Sequence, residues 1–182
     1  MNSEDLLKEI SKTLTKHKVE KLSKIAAKGE VSVTSVIELT FYHEPAIAFR
    51  AAWILEHILI HAPKRFFADL ETFLSAYPKQ KNQSCRRHYS KIMMARNVYD
   101  RLENMSAEII DSVVETTFEW LIDEQTPVAV KVNCLDILFL FRKKYDWIAD
   151  ELKPQVEFLL KDGSAAMQSR GKRILKKLER KA

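Results

Sequence analysis

The sequence contains few of the residues that interrupt regular structure. Its 182 residues include 3 glycines and 5 prolines. β-Sheet and turn-rich folds use both residue types at their many chain reversals, so this shortage argues against those classes. The helix-forming residues Leu, Lys and Glu recur throughout the chain instead. The composition therefore predicts an all-α protein, and 46% apolar residues are enough to build a sizeable core.

Cysteine is also scarce. Cys85 and Cys134 are the only two in the sequence, and two cysteines cannot form a structural zinc site by themselves. Both occupy apolar positions of predicted helices, which is typical of buried free thiols in a reducing compartment. With 3 glycines in all, the chain has no glycine-rich loop that could hold a phosphate. We therefore expect neither a metal nor a cofactor.

Long hydrophobic runs are missing as well. No apolar segment approaches the roughly 20 residues that a membrane-spanning helix needs. The N-terminal sequence MNSED is acidic and lacks the apolar core of a signal peptide. These absences predict a soluble, cytoplasmic protein without a membrane partner.

The net charge of +5 is unevenly distributed along the chain. Lysines and arginines concentrate in three regions, 8–28, 79–101 and 170–181, whereas the stretch from Glu103 to Glu124 is acidic and contains no Lys or Arg. This pattern predicts a polarised surface whose basic regions could attract nucleic acid or acidic proteins. The basic terminal regions can also be explained as the solvated outer faces that end a repeat array.

Apolar residues recur at three- and four-residue steps along most of the chain, which predicts a series of amphipathic helices. Ser3, Ser106 and Asp146 are expected N-caps, and Gly29 and Pro63 mark helix ends. The first two helices could instead be one bent helix. The predicted helices cover about residues 3–14, 16–28, 32–42, 45–61, 64–76, 83–98, 107–122, 127–145, 147–161 and 165–180.

Two of these segments are ambiguous. Val31 to Tyr42 is rich in β-branched residues, which favour strands. Because no other segment offers a partner strand and a lone strand is unstable, we predict a helix there. Pro154 falls inside the helix over 147–161, where it removes a hydrogen bond. We expect it to bend that helix or to split off its first turn.

A five-residue pattern recurs along the chain, and we call it the repeat frame. It consists of an apolar residue, a basic residue, two spacers and a residue that faces the same side as the first. The clearest copy begins at Phe49, and further copies begin at residues 85, 130 and 167, at separations of 36, 45 and 37 residues. Such a period is typical of helical repeats. The helices would then pair, with the second helices beginning near residues 16, 44, 82, 126 and 164.

Two of these frames resemble the HEAT repeat family and its armadillo-like relatives. The residues that carry the resemblance are Pro45 with Phe49, Arg50 and Trp53, and Pro127 with Val130, Lys131 and Cys134. The family pattern has an early proline, an apolar–basic step and a small residue three positions later. Cys134 and Gly171 fit the small position, whereas Trp53 and Tyr89 depart from it, and Gln168 replaces the basic residue in the last copy.

The resemblance covers about residues 30–180 and has consequences for fold and function. It implies an α-α superhelix, a right-handed solenoid of about five antiparallel helix pairs whose inner helices line a concave face. Because the sequence shows no linker or domain boundary, we expect one domain over residues 1–182, with capping helices at 1–29 and 164–182. These folds serve as scaffolds, transport receptors and, in some cases, nucleic-acid binders, so the resemblance implies no single function.

The best candidate for a functional surface is a row of basic residues at the repeat positions. Its members are Arg50, Arg86, Arg87, His88 and Lys131. They would form a basic ladder along the concave face, suited to phosphates or to an acidic peptide. In HEAT-like folds, however, the basic residue of the frame often bonds to an acidic residue or a helix end of a neighbouring repeat, and this structural role is the stronger interpretation. The candidate acidic partners are Glu44, Asp100 and Asp136.

Other groupings point to chemistry less directly. His57 and His61 lie one helical turn apart, a spacing that can chelate a metal, but no third ligand is evident. His61 also suits the C-terminal end of a helix, where a cation is favoured. Cys85 and His88 share a helix face, yet the apolar frame position of Cys85 indicates an inert, buried thiol.

The three tryptophans, Trp53, Trp120 and Trp147, are expected mostly in the core. An exposed one could stack on a base, as in the HEAT-like DNA glycosylases of the alkylpurine type. The catalytic aspartate of that family has no convincing counterpart in this shorter chain.

The sequence thus predicts a non-enzymatic HEAT-like protein that binds a protein or peptide through a concave, partly basic surface. The alternative is a nucleic-acid-binding relative of the alkylpurine DNA glycosylases, which would bind duplex DNA with a steep salt dependence. No motif points to an enzyme.

Overall fold

The computed structural model describes residues 3–12, 15–102 and 105–179. Within these ranges the chain forms only helices and no β-strand, so the predicted all-α class is confirmed. The α-helices are α1 (Ser3–Ser11), α2 (Lys16–Ala27), α3 (Val33–Leu39), α4 (Pro45–His61), α5 (Pro63–Ala68), α6 (Leu70–Ala76), α7 (Gln83–Met94), α8 (Arg96–Tyr99), α9 (Ala107–Ile122), α10 (Val128–Phe141), α11 (Trp147–Leu160) and α12 (Ala165–Glu179). Among the described residues, no helix combines the length and the apolar character needed to cross a bilayer. Some positions at the ends of the predicted helices and charged regions lie outside these ranges, namely Leu14, Glu103, Arg180 and Lys181.

The chain divides into two compact units, Met1–Ile92 and Met93–Ala182. The first contains α1 to α6 and most of α7, and the second contains α8 to α12. The single domain over residues 1–182 with capping helices at 1–29 and 164–182 stays a prediction.

Helix α4 is the centre of the first unit. It contacts α1, α2, α3 and α5, and α3 also contacts α6. Pro45 occupies its first turn, where the N–H that proline lacks would have no helical partner. Because several neighbours cover it, α4 is apolar around most of its circumference. Its fully buried residues include Ala51, Ala52, Ile54, Leu55 and Ile58.

Four buried aromatic side chains pack together in the first unit. Phe66, Phe73, Tyr77 and Tyr89 have no solvent exposure. The Phe73 ring centroid lies 5.3 Å from that of Phe66 and 4.9 Å from that of Tyr89. The Tyr89 hydroxyl is 2.7 Å from the Thr40 hydroxyl, and burial raises the pKa of Tyr89 to about 12. Tyr89, which departs from the small residue expected at the end of the frame, is therefore a core residue.

Helix α10 is the centre of the second unit. It contacts α9, α11 and α12, and α11 and α12 also contact each other. Gly171 of α12 lies against α11, where an added Cβ would be 2.9 Å from Leu160 Cδ2 and 3.2 Å from Val156 Cγ1. The close packing of these two helices therefore explains why the repeat frame has a small residue at this position.

Several local predictions are confirmed. The ambiguous segment forms helix α3, and α4 ends at His61, before Pro63. Gly29 follows α2 with a φ of 84°, a conformation that glycine adopts easily. The Ser106 side chain accepts a hydrogen bond from the Ile109 N–H at the start of α9. Thr15 caps α2 in the same way, so α1 and α2 are two helices and not one bent helix.

Other local predictions are wrong. The helix expected over 64–76 is interrupted at Asp69, whose carboxylate accepts a 2.7 Å hydrogen bond from the Thr34 hydroxyl. Pro154 does not split off the first turn of α11, which continues through it to Leu160, and the alternative of a bend stays a prediction. The carbonyl of Asp150, which Pro154 leaves without its helical donor, belongs to an exposed residue and can be hydrated. Helix α7 ends at Met94, before the predicted residue 98, because Ala95 is extended.

The tryptophans differ in their environments. Trp120 is buried, as predicted, but Trp147 is 48% exposed. Trp53 is only half-buried. The expectation that all three belong mostly to the core is therefore wrong for Trp147, since it follows the turn after α10 and lies at the first position of α11.

Candidate functional site

In three of the four copies of the repeat frame, the second residue donates a hydrogen bond to a main-chain carbonyl at or just after the end of a preceding helical segment. Arg50 Nη1 donates to the carbonyls of Ile10 and Ser11, at 2.8 and 3.1 Å, where α1 ends. Gln168 Nε2 donates to the carbonyl of Leu160, the last residue of α11. Arg86 Nε donates to the carbonyl of Gln80 at 2.9 Å, just after the short 3-10 segment over Tyr77–Lys79. Because the last carbonyls of a helix lack helical donors, these side chains stabilise helix ends.

We expect Arg50→Ala to lower the free energy of unfolding by about 1.5 kcal/mol, since a charged donor to two carbonyls is lost. Arg87→Ala is the matched control. The Arg87 side chain is exposed and forms no hydrogen bond or ion pair with the described residues, so a change within about 0.5 kcal/mol is expected. Urea unfolding followed by circular dichroism measures both. Equal effects of the two substitutions would rule out the helix-end role of Arg50.

A cluster of three titratable side chains joins α4 to α7. The Nδ1 of His88 lies 2.5 Å from Glu56 Oε2, and the Nζ of Lys91 lies 3.1 Å from Glu56 Oε1. Burial raises the pKa of Glu56, but the hydrogen bonds and charges of His88 and Lys91 outweigh this effect, so the pKa is lowered. An ionised carboxylate only accepts hydrogen bonds, and therefore His88 Nδ1–H is the donor.

His88 is one of the predicted contact residues, and the structure places it inside this cluster. Its exposed fraction is 6%, and its Nε2 is buried without a hydrogen-bond partner among the described residues. An unpaired buried nitrogen costs about 1–3 kcal/mol. His88 can therefore position the surface around it but presents little of itself to solvent.

Rings follow one face of α4 at four-residue intervals, and we call Phe49, Trp53, His57 and His61 the α4 ring strip. Consecutive ring centroids are 6.2, 6.3 and 5.6 Å apart. Phe49, Trp53 and His57 are half-buried and His61 is exposed. The Phe49 ring also lies 5.1 Å from the His88 ring, which links the strip to α7. The strip thus offers a row of partly exposed rings along one face of α4.

Two cations of α7 are accessible at this surface, one inside the cluster and one near it. Lys91 keeps 39% of its side chain exposed while it pairs with Glu56. Arg87 lies one helical turn before Lys91 and is exposed. Aromatic rings and cations together suit partners that combine negative charge with apolar or planar groups.

The structure gives little basis for metal or thiol chemistry in the first unit. The His57 and His61 rings are close, but the described residues contain no group of three or more His, Cys, Asp or Glu side chains that could hold a metal ion. Cys85 is fully buried, and burial raises the pKa of its thiol to about 12. The predicted burial of Cys85 is confirmed, and its inertness stays a prediction.

Lys131 lies in the second unit, whereas the other predicted contact residues lie in the first. It is half-buried on α10 and lines a groove with Phe158, Lys161 and Asp162. Asp136, a candidate partner for the frame's basic residues, contacts Arg170 and lies 2.9 Å from Arg173 Nη2. Asp136 therefore pairs with Arg170, a spacer residue of the last frame, and the role of Lys131 stays a prediction.

Asp100 is likewise occupied by a local partner, because its carboxylate lies 2.7 Å from Arg96 Nε. Glu44 is exposed at the start of α4. None of the three acidic candidates is thus seen to pair with the second residue of a repeat frame among the described residues. Asp100 and Asp136 pair with arginines at other positions, and Glu44 lies at the surface.

Sequence reasoning missed the ring strip and the part played by Glu56. The i, i+4 spacing of Phe49, Trp53, His57 and His61 was a usable signal, because it places four rings on one helix face. No local signal pointed to Glu56, whose partner His88 is 32 residues away.

A profile described as HEAT repeat domain matches residues 6–178 of this chain. The crystal structure of an engineered protein, from a structural genomics consortium, is similar in fold, with a TM-score of 0.64 and 13% sequence identity. The alignment covers 97% of this chain and 81% of the engineered one. No curated protein matches the chain in sequence.

Proposed function

The chain belongs to the HEAT repeat family, and from this premise we propose that it is a non-enzymatic binding scaffold. Its contact surface is formed by α4 and α7 in the first unit. The observation that carries the proposal is the α4 ring strip, whose partly exposed rings lie beside the Glu56, His88 and Lys91 cluster. Rigid helices that present aromatic rings provide strong contacts at little entropic cost.

The chemistry of this surface favours a protein or peptide segment that carries carboxylates and apolar side chains. Arg87 and Lys91 supply positive charge, and Trp53 and the 59% exposed Ile60 supply apolar area. Of the predicted basic ladder, Arg87 is the member that faces solvent. Arg50, Arg86 and His88 act by fixing the helices, and Lys131 would make a separate contact in the second unit.

Nucleic acid is the second candidate, and the half-exposed Trp53 favours it. Indole and imidazole rings can stack on bases while neighbouring cations contact phosphates. The net charge of +5 also favours the binding of nucleic acid. A protein partner is the main proposal, because the surface carries little net positive charge. Glu56 pairs with Lys91 and so offsets part of the charge that a phosphate backbone would need.

We expect Trp53→Ala and Arg87→Glu each to weaken partner binding about tenfold, since an aromatic anchor or a charge contact is lost. The measurement is fluorescence anisotropy with three labelled probes at low and physiological salt: an acidic amphipathic peptide of Glu and Leu, a DNA duplex and a matched RNA. Binding of the acidic peptide supports the protein-binding proposal, whereas salt-sensitive binding of the nucleic acids alone supports the second candidate.

Lys172→Glu on the exposed face of α12 is the matched control, because it changes the charge by the same amount as Arg87→Glu. It is expected to leave binding within about twofold of the wild type. If the control weakens binding as much as Arg87→Glu does, general charge governs binding and the α4/α7 surface is excluded. Absence of binding by all three probes at low salt would also remove the proposal.

A further inference from the structure

The second unit has an open groove between α9 and α11, which we call the acidic aromatic groove. Its lining residues are Glu115, Phe118, Glu119, Ile122, Trp147, Glu151 and Gln155, and its volume is about 570 Å³. The rings of Phe118 and Trp147 stack across the two helices, with centroids 5.7 Å and planes 25° apart. Trp147 and Ile122 are 48% and 56% exposed. Large apolar side chains grouped at a surface in this way mark an interaction site.

Carboxylates surround this apolar floor. Glu115 and Glu119 lie one turn apart on α9, and Glu151 lies one turn after Trp147 on α11. All three are exposed, and none forms an ion pair with any residue in the described part of the chain. The α9 sequence also contains no Lys or Arg. The groove therefore combines an apolar floor with three carboxylates that form no ion pair with the described residues.

We propose that the acidic aromatic groove binds a basic amphipathic segment of a partner protein. In this arrangement lysines or arginines pair with Glu115, Glu119 and Glu151, and apolar side chains cover Trp147 and Ile122. Charge complementarity favours a basic partner, because three unpaired carboxylates attract a polycation and repel phosphates. Long Lys and Arg stems can also lie on the exposed indole face while their charged ends reach the carboxylates.

This inference is independent of the proposed function. The α4/α7 surface belongs to the first unit and favours an acidic partner, whereas this groove belongs to the second unit and favours a basic one. Substitutions in one surface leave the other intact, so either proposal can fail alone.

A second copy of the chain is the competing occupant, since α12 carries an exposed row of cations. These cations are Lys172, Arg173, Lys176 and Lys177. Docking of α12 into the groove of another molecule would produce salt-sensitive self-association. Sedimentation velocity over a range of concentrations measures that directly, and dimers abolished by Glu119→Gln would overturn the choice of a separate partner.

The binding test uses a fluorescein-labelled peptide of Lys and Leu of about 18 residues, roughly five turns, with leucines on one helical face. Anisotropy titrations compare the wild-type chain with the triple variant Glu115→Gln, Glu119→Gln, Glu151→Gln, and with Trp147→Ala. We expect each variant to bind the peptide about tenfold more weakly, since three surface ion pairs or one aromatic anchor are lost. A Glu and Leu peptide of the same pattern, which is expected at the α4/α7 surface, should not lose affinity in these variants.

The matched control is Glu124→Gln, Glu157→Gln, Glu179→Gln, which makes the same charge change at exposed positions outside the groove. It should bind the peptide within about twofold of the wild type. Thermal unfolding of every variant shows whether the fold is retained. Equal losses in the two triple variants, unchanged binding by Trp147→Ala in a folded protein, or no binding by the wild type would each overturn the proposal.

Discussion

We expect Phe73→Ala to lower the free energy of unfolding by about 4 kcal/mol, because it opens a cavity among rings that are packed on every side. Phe73 has no solvent exposure. Its ring contacts Phe66 on α5 and Tyr89 on α7, with centroid distances of 5.3 and 4.9 Å. The ring cluster joins these three elements, and they cannot close around an alanine without moving their helix axes. Urea unfolding followed by circular dichroism gives the free-energy difference.

Phe158→Ala is the control, since it removes the same ring from a side chain that is 66% exposed. A change below about 0.5 kcal/mol is expected there. If Phe73→Ala costs under about 1.5 kcal/mol, the aromatic cluster is not a tightly packed core. Such a result would also contradict the identification of Tyr89 as a core residue at the frame's last position.

The features of the fold that could be predicted from the sequence are those decided within one or two turns of the chain. Pro63 ends α4, Gly29 follows α2 with a positive φ, and Ser106 caps α9, each through its own backbone or side chain. The interruption at Asp69 was not predictable in this way. Its side chain bonds to Thr34, 35 residues earlier in the chain, and periodicity contains no information about such a contact.

The candidate site shows the same division between local and distant causes. The repeat frame located Arg50 and Arg86 but not the carbonyls to which they donate, because those belong to helix ends 40 and 6 residues earlier. The sequence pattern places His88 in the basic ladder because it follows Arg86 and Arg87 directly. Its burial depends on Glu56 and Phe49 of α4, which the fold brings to it.

The Glu56 cluster leads to the second large expected effect. Glu56→Ala removes the acceptor of His88 Nδ1 and the partner of Lys91, and leaves a second buried nitrogen of His88 without a bond. We expect a loss of about 2–3 kcal/mol at neutral pH, measured by urea unfolding. Glu38→Ala, on the exposed side of α3, is the control and should change the free energy of unfolding by less than about 0.5 kcal/mol.

The pH dependence of this loss follows from the direction of the pKa shift. The folded chain holds the pKa of Glu56 below its ordinary value of 4.5, because His88 and Lys91 outweigh the opposing effect of burial. The stabilisation is therefore fully present above pH 4.5, the value in the unfolded chain, and is lost as the pH falls through the lower folded pKa. Free energies of unfolding for the wild type and Glu56→Gln, measured from neutral pH into the acid range, should converge as the pH falls. Subtracting the two curves removes the contributions of the other carboxylates. A difference that stays constant with pH, or widens towards acid, would mean that the charge of Glu56 does not stabilise the junction of α4 and α7.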